Sequence, residues 1–277
     1  MQRAFAVAVM AGVVCGVVGT FVVLRGMSFI GDAVAHSVFP GVAIGFVLKI
    51  SLALSGAAAG VTTALTISAL SQNRRLKEDA VIGVLFALAF AIGIVVVSTQ
   101  SNYTGDLASF LFGQLLGISD ADVRTVAVIG SVLLITTILL RKELVAVSLD
   151  RETALASGLP VFWLDTLLLV MVTLAVVVSL QAVGNILVLA LLITPAATAR
   201  MLTDRLVVMM ALSAGLGGIG SLMGLYISFH YNLASGGLIV IILSSIFFVC
   251  WLLAPKHGLL PRMYFARRGA AVPVPGD

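Results

Sequence analysis

An all-α bundle of transmembrane helices, crossing the bilayer eight or nine times, is the fold that the sequence predicts. Of the 277 residues, 61% are hydrophobic and 10% are charged, and the mean hydropathy is +1.19. About a quarter of the residues of a soluble domain are charged, so this chain cannot cover itself with polar surface. Apolar segments recur as far as residue 254, so a cleaved signal peptide does not account for them.

Nine segments approach the length of about 20 apolar residues that a helix needs to cross a bilayer. Residues 104–119 lie between the fourth and fifth segments and contain an apolar run that is too short to span the bilayer. We expect a re-entrant or interfacial helix there. If one of the nine segments is itself re-entrant, the count is eight. The nine are residues 4–24, 28–48, 51–70, 80–98, 126–140 (with a start near Asp122), 161–183, 185–199, 206–229 and 233–254.

The basic residues indicate the orientation of these segments. Lys and Arg cluster in alternate connections, with Lys49 as the exception, and the positive-inside rule places such connections in the cytoplasm. The C-terminus is then inside, and the N-terminus is outside with nine spans or inside with eight. The same placement explains the net charge of +4 without a nucleic-acid partner. We expect a permease domain over residues 1–255 and a basic, disordered cytoplasmic tail over residues 256–277.

The second segment contains two ionisable residues, Asp32 and His36, whose four-residue spacing puts them on one helix face. Such residues within a span usually face the bundle interior or a water-filled path. A carboxylate with an imidazole suits Mn²⁺, Fe²⁺ or Zn²⁺, and a weak two-ligand site suits an ion that must leave again. The alternatives are an Asp–His hydrogen bond that joins two helices, or a pair at the wet interface behind Arg25. Pro40 and Gly41 would loosen the helix one turn later, as in a gate, although membrane helices also carry such residues for packing.

Polar residues and a proline also occur in residues 180–202. Gln181 and Asn185 are four residues apart, and Pro195 interrupts the helical hydrogen bonding further on. The two amides could line a path or bond between helices.

Residues 142–160 form the longest polar stretch between two spans. Asp150 is suited to cap a short helix that Gly158 would end. Such a helix could dock a cytoplasmic partner, which would approach closely over small surface residues, or it could be a simple connection. The small residues are Ala154, Ala156 and Ser157.

Four stretches together resemble the ABC-3 family, the permease subunits of bacterial Mn/Zn/Fe ABC importers. They are "FVVLRGMSFIGDAVAHSVFPGVAIGF", "DLASFLFGQLLGIS", "RKELVAVSLDRETALASGLP" and "SLQAVGNILVLALLITPAATARMLT". They follow the family's order and cover the chain from about residue 20 to residue 250. The resemblance implies a multi-pass protein of the bacterial cell membrane with a permease fold of the type II ABC importers.

The same resemblance implies how the subunit would work. Two permease copies form the channel, cytoplasmic ABC ATPase subunits dock below, and an extracytoplasmic metal-binding protein docks outside. ATP belongs to the ATPase, since this sequence has no Walker A motif. The chain is then not an enzyme and has no resident cofactor. Its substrate is manganese, zinc or iron, among which we favour manganese, and Asp32 and His36 would touch it.

Further residues take expected roles from the resemblance. If the path follows the dimer axis, both copies could supply an Asp and a His to one ion. The gate and pathway candidates are Pro40, Gly41, Gln181, Asn185 and Pro195, and those of the ATPase-coupling loop are Lys142, Glu143, Asp150, Ala154 and Gly158.

The sequence departs from the family in residues 229–240. The family often has Asp at the position of Asn232 and Pro at that of Ala234. His230 could substitute for the missing acid or be a plain loop residue. With Asp106, His230 and Asn232 are our extracellular-side candidates.

Three other functions are compatible with a multi-pass membrane protein. A siderophore or cobalamin permease would carry a chelate and would not need Asp32 or His36. An ATP-independent secondary transporter would need intramembrane charges, for which Asp32 and Asp165 are the available residues. An intramembrane enzyme is disfavoured, because the spans hold neither a zinc-binding Glu-x-x-His pair nor a Ser/His dyad.

Overall fold

The helical prediction is confirmed. The computed structural model describes residues 2–27, 29–72, 78–98, 118–231 and 233–254, and within these ranges all regular structure is helical. Eleven helices are present there: α1 (Gln2–Arg25), α2 (Ile30–Leu48), α3 (Leu52–Leu70), α4 (Glu78–Ser98), α5 (Asp120–Leu139), α6 (Arg141–Leu149), α7 (Arg151–Ala156), α8 (Val161–Val183), α9 (Asn185–Leu202), α10 (Leu206–Tyr231) and α11 (Ser235–Leu253).

Nine of these helices correspond to the nine predicted segments. In the described part of the chain, seven are long and apolar enough to cross a membrane by length and composition. The other two are α3, with 19 residues, and α9, with 18 residues. At about 1.5 Å per residue, helices of this length come close to a hydrocarbon core of about 30 Å.

Helix α5 starts two residues before the predicted position near Asp122, so this segment does begin ahead of residue 126. The helix begins at Asp120, because Ser119 and Asp122 form a reciprocal capping box. The Ser119 hydroxyl accepts a hydrogen bond from the Asp122 amide at 3.2 Å, and the Asp122 carboxylate accepts one from the Ser119 amide at 2.9 Å. These two bonds satisfy amides that an uncapped helix start would leave without partners.

Helix α1 lies at the centre of a group that we call the core, formed by α1, α8, α9 and α10. It runs antiparallel to α10, with Gly12 against Gly217 and Gly16 against Ser213. The Ser213 hydroxyl donates to the Gly16 carbonyl oxygen at 2.6 Å. A Cβ atom at Gly217 would overlap the Gly12 carbonyl, so glycine is what lets these backbones approach so closely.

Helices α2, α3 and α4 form a second group, which we call the α2–α4 unit. It joins the core mainly through α3 and α8, where the Ser68 and Thr166 hydroxyls lie 2.6 Å apart. Helices α1, α2 and α8 are mostly buried within the chain, whereas α4, α5 and α11 expose most of their apolar surface, as expected for contact with lipid.

Each end of the bundle has its own ion pairs between helices. Arg25 ends α1, Arg151 begins α7, and both contact Asp165 near the start of α8. We call this the basic end. At the opposite end, Arg3 of α1 pairs with Asp120 of α5 at 2.6 Å. Helices α1 and α5 therefore run parallel, and α8 runs antiparallel to both.

Candidate functional site

The predicted metal ligands lie side by side on α2. Asp32 is in the first turn of the helix, and His36 follows one turn later. The Asp32 Oδ1 and His36 Nε2 atoms are 3.4 Å apart, and the two side chains are 38% and 23% exposed. Both side chains are therefore partly accessible from outside this chain, although they belong to a mostly apolar helix.

The separation of these two atoms fits a shared ion. Ligand atoms that each lie about 2.1 Å from one ion can be at most about 4.2 Å apart, and 3.4 Å is within that limit. The same distance is long for a hydrogen bond between the two side chains. The described residues include no group of three or more His, Cys, Asp or Glu that could hold a metal. Within that part, one copy of the chain thus offers a two-donor site.

Two aromatic rings of α4 border the imidazole. The His36 ring lies 4.9 Å from Phe86 and 5.2 Å from Phe90 between centroids, at interplanar angles of 86° and 88°. The two phenyl rings are themselves parallel, 6.3 Å apart. Edge-to-face contacts of this kind are favourable, so they limit the orientations that the imidazole can take. Sequence reasoning did not identify this wall, because it depends on the packing of α4 against α2.

The gate candidates of α2 occupy packed positions. Pro40 is buried and lies inside a helix that continues to Leu48. Gly41 faces α3, where an added Cβ would overlap the Ser55 carbonyl and come within 2.5 Å of the Ala59 Cβ. Gly41 therefore allows close packing of α2 on α3, and its role in a gate stays a prediction.

The other gate candidates flank a helix break. Gly184, with φ 84° and ψ 163°, is the single residue between α8 and α9. It separates Gln181 from Asn185, so their spacing does not place them on one face of a continuous helix; their side chains lie outside the described structure. Pro195 lies within α9, which is continuous to Leu202.

Asp150 caps α7 as predicted. Its Oδ1 accepts hydrogen bonds from the amides of Glu152 at 2.9 Å and Thr153 at 3.2 Å. Its Oδ2 accepts one from the Thr153 hydroxyl. The Thr153 hydroxyl, more than any other partner, lowers the pKa of Asp150, because it stabilises the ionised form. Gly158 ends the segment with φ 77°, a backbone conformation that favours glycine.

One expectation for this segment is wrong. Ala154 was expected on the surface of the short helix, but it is 2% exposed. It packs in a small apolar cluster with Val147, Val161 and Leu164, because the face of α7 that carries it lies against α6 and α8. Ala156 and Ser157 are exposed as expected.

The remaining candidates of the coupling loop lie on α6. Lys142 is exposed. Glu143 is half-buried, and its Oε2 has no hydrogen-bond partner in the described structure.

The extracellular-side candidates are described in part. Asp106 and Asn232 lie outside the described residues. His230 is exposed near the end of α10, with its ring 5.2 Å from that of Tyr231.

A second charged site was missed by sequence reasoning. Asp165 is buried, and its two carboxylate oxygens contact different arginines, Arg25 and Arg151. The partners are 140 and 14 residues away along the chain, so no local pattern pairs them. The available signal was that a charge survives near the start of an apolar span, which usually means a buried partner.

A bundle of long apolar helices with a carboxylate–imidazole pair in one of them defines the class of the molecule as a multi-pass membrane transport protein. The model of the ABC 3 transport family matches residues 1–254, and the chain belongs to this family. It is a permease subunit of the bacterial cell membrane rather than an enzyme, and ATP hydrolysis belongs to a separate chain.

Individual relatives align over nearly the whole chain. The manganese transport system membrane protein MntC of Halalkalibacterium halodurans is 41% identical, over 97% of this chain and 92% of that protein. The chelated iron transport system membrane protein YfeC of Yersinia pestis is 37% identical, over 100% and 95%. Among solved structures, PsaBC from Streptococcus pneumoniae in complex with Fab matches with a TM-score of 0.83 at 35% identity, covering 96% of this chain and 94% of that one.

Proposed function

We propose that this chain is the permease of an ATP-driven importer that carries a divalent transition metal, manganese in the first place, into the cytoplasm by alternating access. The observation that carries the proposal is the Asp32–His36 pair, whose donor atoms are 3.4 Å apart within a membrane-spanning bundle. The name of the 41% identical relative, a manganese transport protein, supports the choice of manganese. So does the carboxylate ligand, since oxygen donors suit Mn²⁺.

The position of Asp32 favours the approach of a cation. Its carboxylate lies in the first turn of α2, and its exposed part faces outward from the chain rather than into the core. An acid within a membrane span is costly, and a passing cation would offset that cost. With a single carboxylate and a single imidazole, binding is weak enough for release.

A second copy of the chain would complete the coordination. If the exposed faces of the two α2 helices meet along a channel, four protein donors surround one ion. Metals of this kind commonly take four or more ligands. The pathway is then shared by a homodimer, and lipid contacts the exposed helices α4, α5 and α11.

The partners of the dimer follow from the two ends of the bundle. Residues 141–158, which we call the coupling segment, lie at the basic end, where we place the ATPase subunits. The extracytoplasmic metal-binding protein would dock at the opposite end. Residues 256–277 would form a cytoplasmic tail; they lie outside the described structure.

A second candidate cargo is chelated iron, which the name of the 37% identical relative mentions. A bulky chelate would not require direct ligands in the path. The two cargoes therefore make different demands on Asp32 and His36.

The test is uptake by the complete importer in proteoliposomes, containing this chain, its ATPase and its binding protein. Radiolabelled manganese, zinc, ferrous iron and a ferric chelate would be offered separately on the side of the binding protein. Each would be tested with and without ATP on the side of the bilayer that carries the ATPase. ATP-dependent accumulation of manganese ahead of the others is the expected result. Uptake of the chelate alone would replace the proposal with a chelate permease, and uptake that needs no ATP would replace it with a secondary transporter.

A further inference from the structure

Asp165 is a buried carboxylate at the basic end with no part in the proposed metal pathway. Its side chain is 5% exposed, and its two oxygens face two different cations. Oδ1 contacts the Arg25 guanidinium, and Oδ2 lies 2.8 Å from that of Arg151. A buried charge is tolerated when it is paired in this way.

The three residues belong to three separate helices. Arg25 is the last residue of α1, Arg151 is the first residue of α7, and Asp165 lies in α8. Asp165 therefore ties the coupling segment to α1 and α8, which are both mostly buried within the chain. An apolar cluster around Ala154 also joins α7 to the start of α8. The coupling segment is therefore attached to the core by an apolar contact and by a charged contact.

The two charged contacts are unequal. Arg25 is 7% exposed and hydrogen-bonds Asp165 Oδ1. Arg151 is 39% exposed, and its contact lacks the geometry of a hydrogen bond, since Asp165 Oδ2 has no hydrogen-bond partner among the described residues. If Arg151 moves away, its guanidinium can enter water, and Arg25 still neutralises the carboxylate. The Arg151 contact is thus the one that can open and close at low cost.

The fixed contact leads towards the metal-binding pair. Arg25 is followed by a tight turn, in which Gly26 has φ 73° and the Met27 amide bonds to the Val22 carbonyl at 3.1 Å. Helix α2 begins at Ile30, and Asp32 is in its first turn. The Ile30 amide bonds to the Met27 carbonyl at 3.2 Å, so a displacement of Arg25 would reach the start of α2 through these hydrogen bonds.

We propose that Asp165 is a positioning residue that transmits movements of the coupling segment to α1 and α8, with Arg151 as the detachable contact and Arg25 as the permanent one. This inference rests on the proposed function, because it assumes that an ATPase moves the coupling segment. It adds a route from that segment to the membrane core: Arg151, Asp165, Arg25 and the α1–α2 turn.

The experiment measures manganese uptake and ATP hydrolysis by the same proteoliposomes containing the complete importer. The variants are Arg151→Gln, Arg151→Lys and Asp165→Asn, with Asp120→Asn as the matched control, because Asp120 is an exposed acid paired with arginine at the opposite end. Retention of the ATPase on each purified variant is measured in parallel. The ratio of uptake to hydrolysis is the decisive quantity, since a merely structural defect lowers both together.

We expect Arg151→Gln to lower this ratio by about fivefold or more, the lower end of the range for coupling between sites. Asp165→Asn should lower it as well, Arg151→Lys should restore most of it, and Asp120→Asn should leave it unchanged, with the ATPase retained throughout. If Asp165→Asn does not accumulate in membranes, the test rests on the ratios of uptake to hydrolysis in Arg151→Gln and Arg151→Lys, because Arg151 is only half-buried.

Three results would overturn the inference. An unchanged ratio of uptake to hydrolysis in Arg151→Gln would show that the contact between Arg151 and Asp165 has no role in coupling. A lowered ratio in Arg151→Gln but not in a folded Asp165→Asn, or loss of the ATPase from Arg151→Gln, would show that Arg151 acts on the ATPase directly. If the wild-type importer moves no metal ion, the proposed function fails first, and this inference fails with it.

Discussion

The core and the α2–α4 unit give an acid of an apolar helix opposite surroundings. In the core, Asp165 is 5% exposed and both of its oxygens face arginines. In the α2–α4 unit, Asp32 is 38% exposed, and its partner is a histidine at 3.4 Å. Two full positive charges leave the first carboxylate little capacity for another cation, whereas the second keeps that capacity. The comparison teaches that an acid in a span is a candidate metal ligand only when neighbouring cations do not already neutralise its charge.

The largest expected effect comes from removing the buried acid of the core. Asp165→Leu leaves two arginines without their shared acid, and removal of one partner from a buried ion pair costs about 3–5 kcal/mol. We expect a lower unfolding temperature in detergent and less protein in membranes. Asp120→Asn removes an exposed acid and should cost about 0–1 kcal/mol. Equal unfolding temperatures for the two variants would show that Asp165 is not a structural charge.

A smaller effect tests the tight packing of the core. Gly217→Ala places a methyl group against the Gly12 carbonyl, so α1 and α10 must separate at a cost of about 1–3 kcal/mol. The matched control is Gly215→Ala on the same helix, where an added Cβ meets no atom within 4 Å. The control should be neutral or stabilising by up to about 1 kcal/mol. Unfolding temperatures measure both, and a stable Gly217→Ala variant would contradict the close backbone contact.

Next in size is an effect within the α2–α4 unit. Phe90→Ala removes one of the two rings that border His36, and such a contact contributes about 0.5–1.5 kcal/mol. A less well-oriented imidazole should lower manganese uptake by up to about tenfold. Phe248→Leu, at an exposed position of α11, should leave uptake unchanged. An unaltered rate in Phe90→Ala would mean that the aromatic wall does not position His36.

The smallest effect concerns the cap of the coupling segment. Asp150→Ala removes the acceptor of two α7 amides, so the amides of residues 151–157 should exchange hydrogen faster, while Asp150→Asn, also a good capping residue, should protect them. The lowered pKa of Asp150 fixes the pH dependence. The ionised cap stabilises the fold above the ordinary pKa of an aspartate, and this contribution is lost as the pH falls through the lowered pKa. Equal exchange rates in all three proteins would contradict the capping role.

The sequence was a good guide to features that depend on neighbours along the chain. All nine predicted segments are helices, Asp150 and Gly158 bound α7 as capping rules predict, and the predicted segments 161–183 and 185–199 are separated at Gly184. The burial of Ala154 was missed, because it depends on how α7 lies against α8. The Asp165 contacts and the aromatic wall were missed for the same reason. They join helices that are distant in sequence, and apolar periodicity does not say which helices become neighbours.

The central claim is that Asp32 and His36 serve the passage of a metal ion rather than the fold. The most direct measurement is the initial rate of manganese uptake by the complete importer carrying Asp32→Ala or His36→Ala, together with the unfolding temperature of each variant. Asp120→Ala serves as the control for loss of an exposed acid. The account predicts that uptake falls to background in both variants while their unfolding temperatures stay at the wild-type value. Normal uptake in either variant, or a loss of uptake that follows a loss of stability, would contradict it.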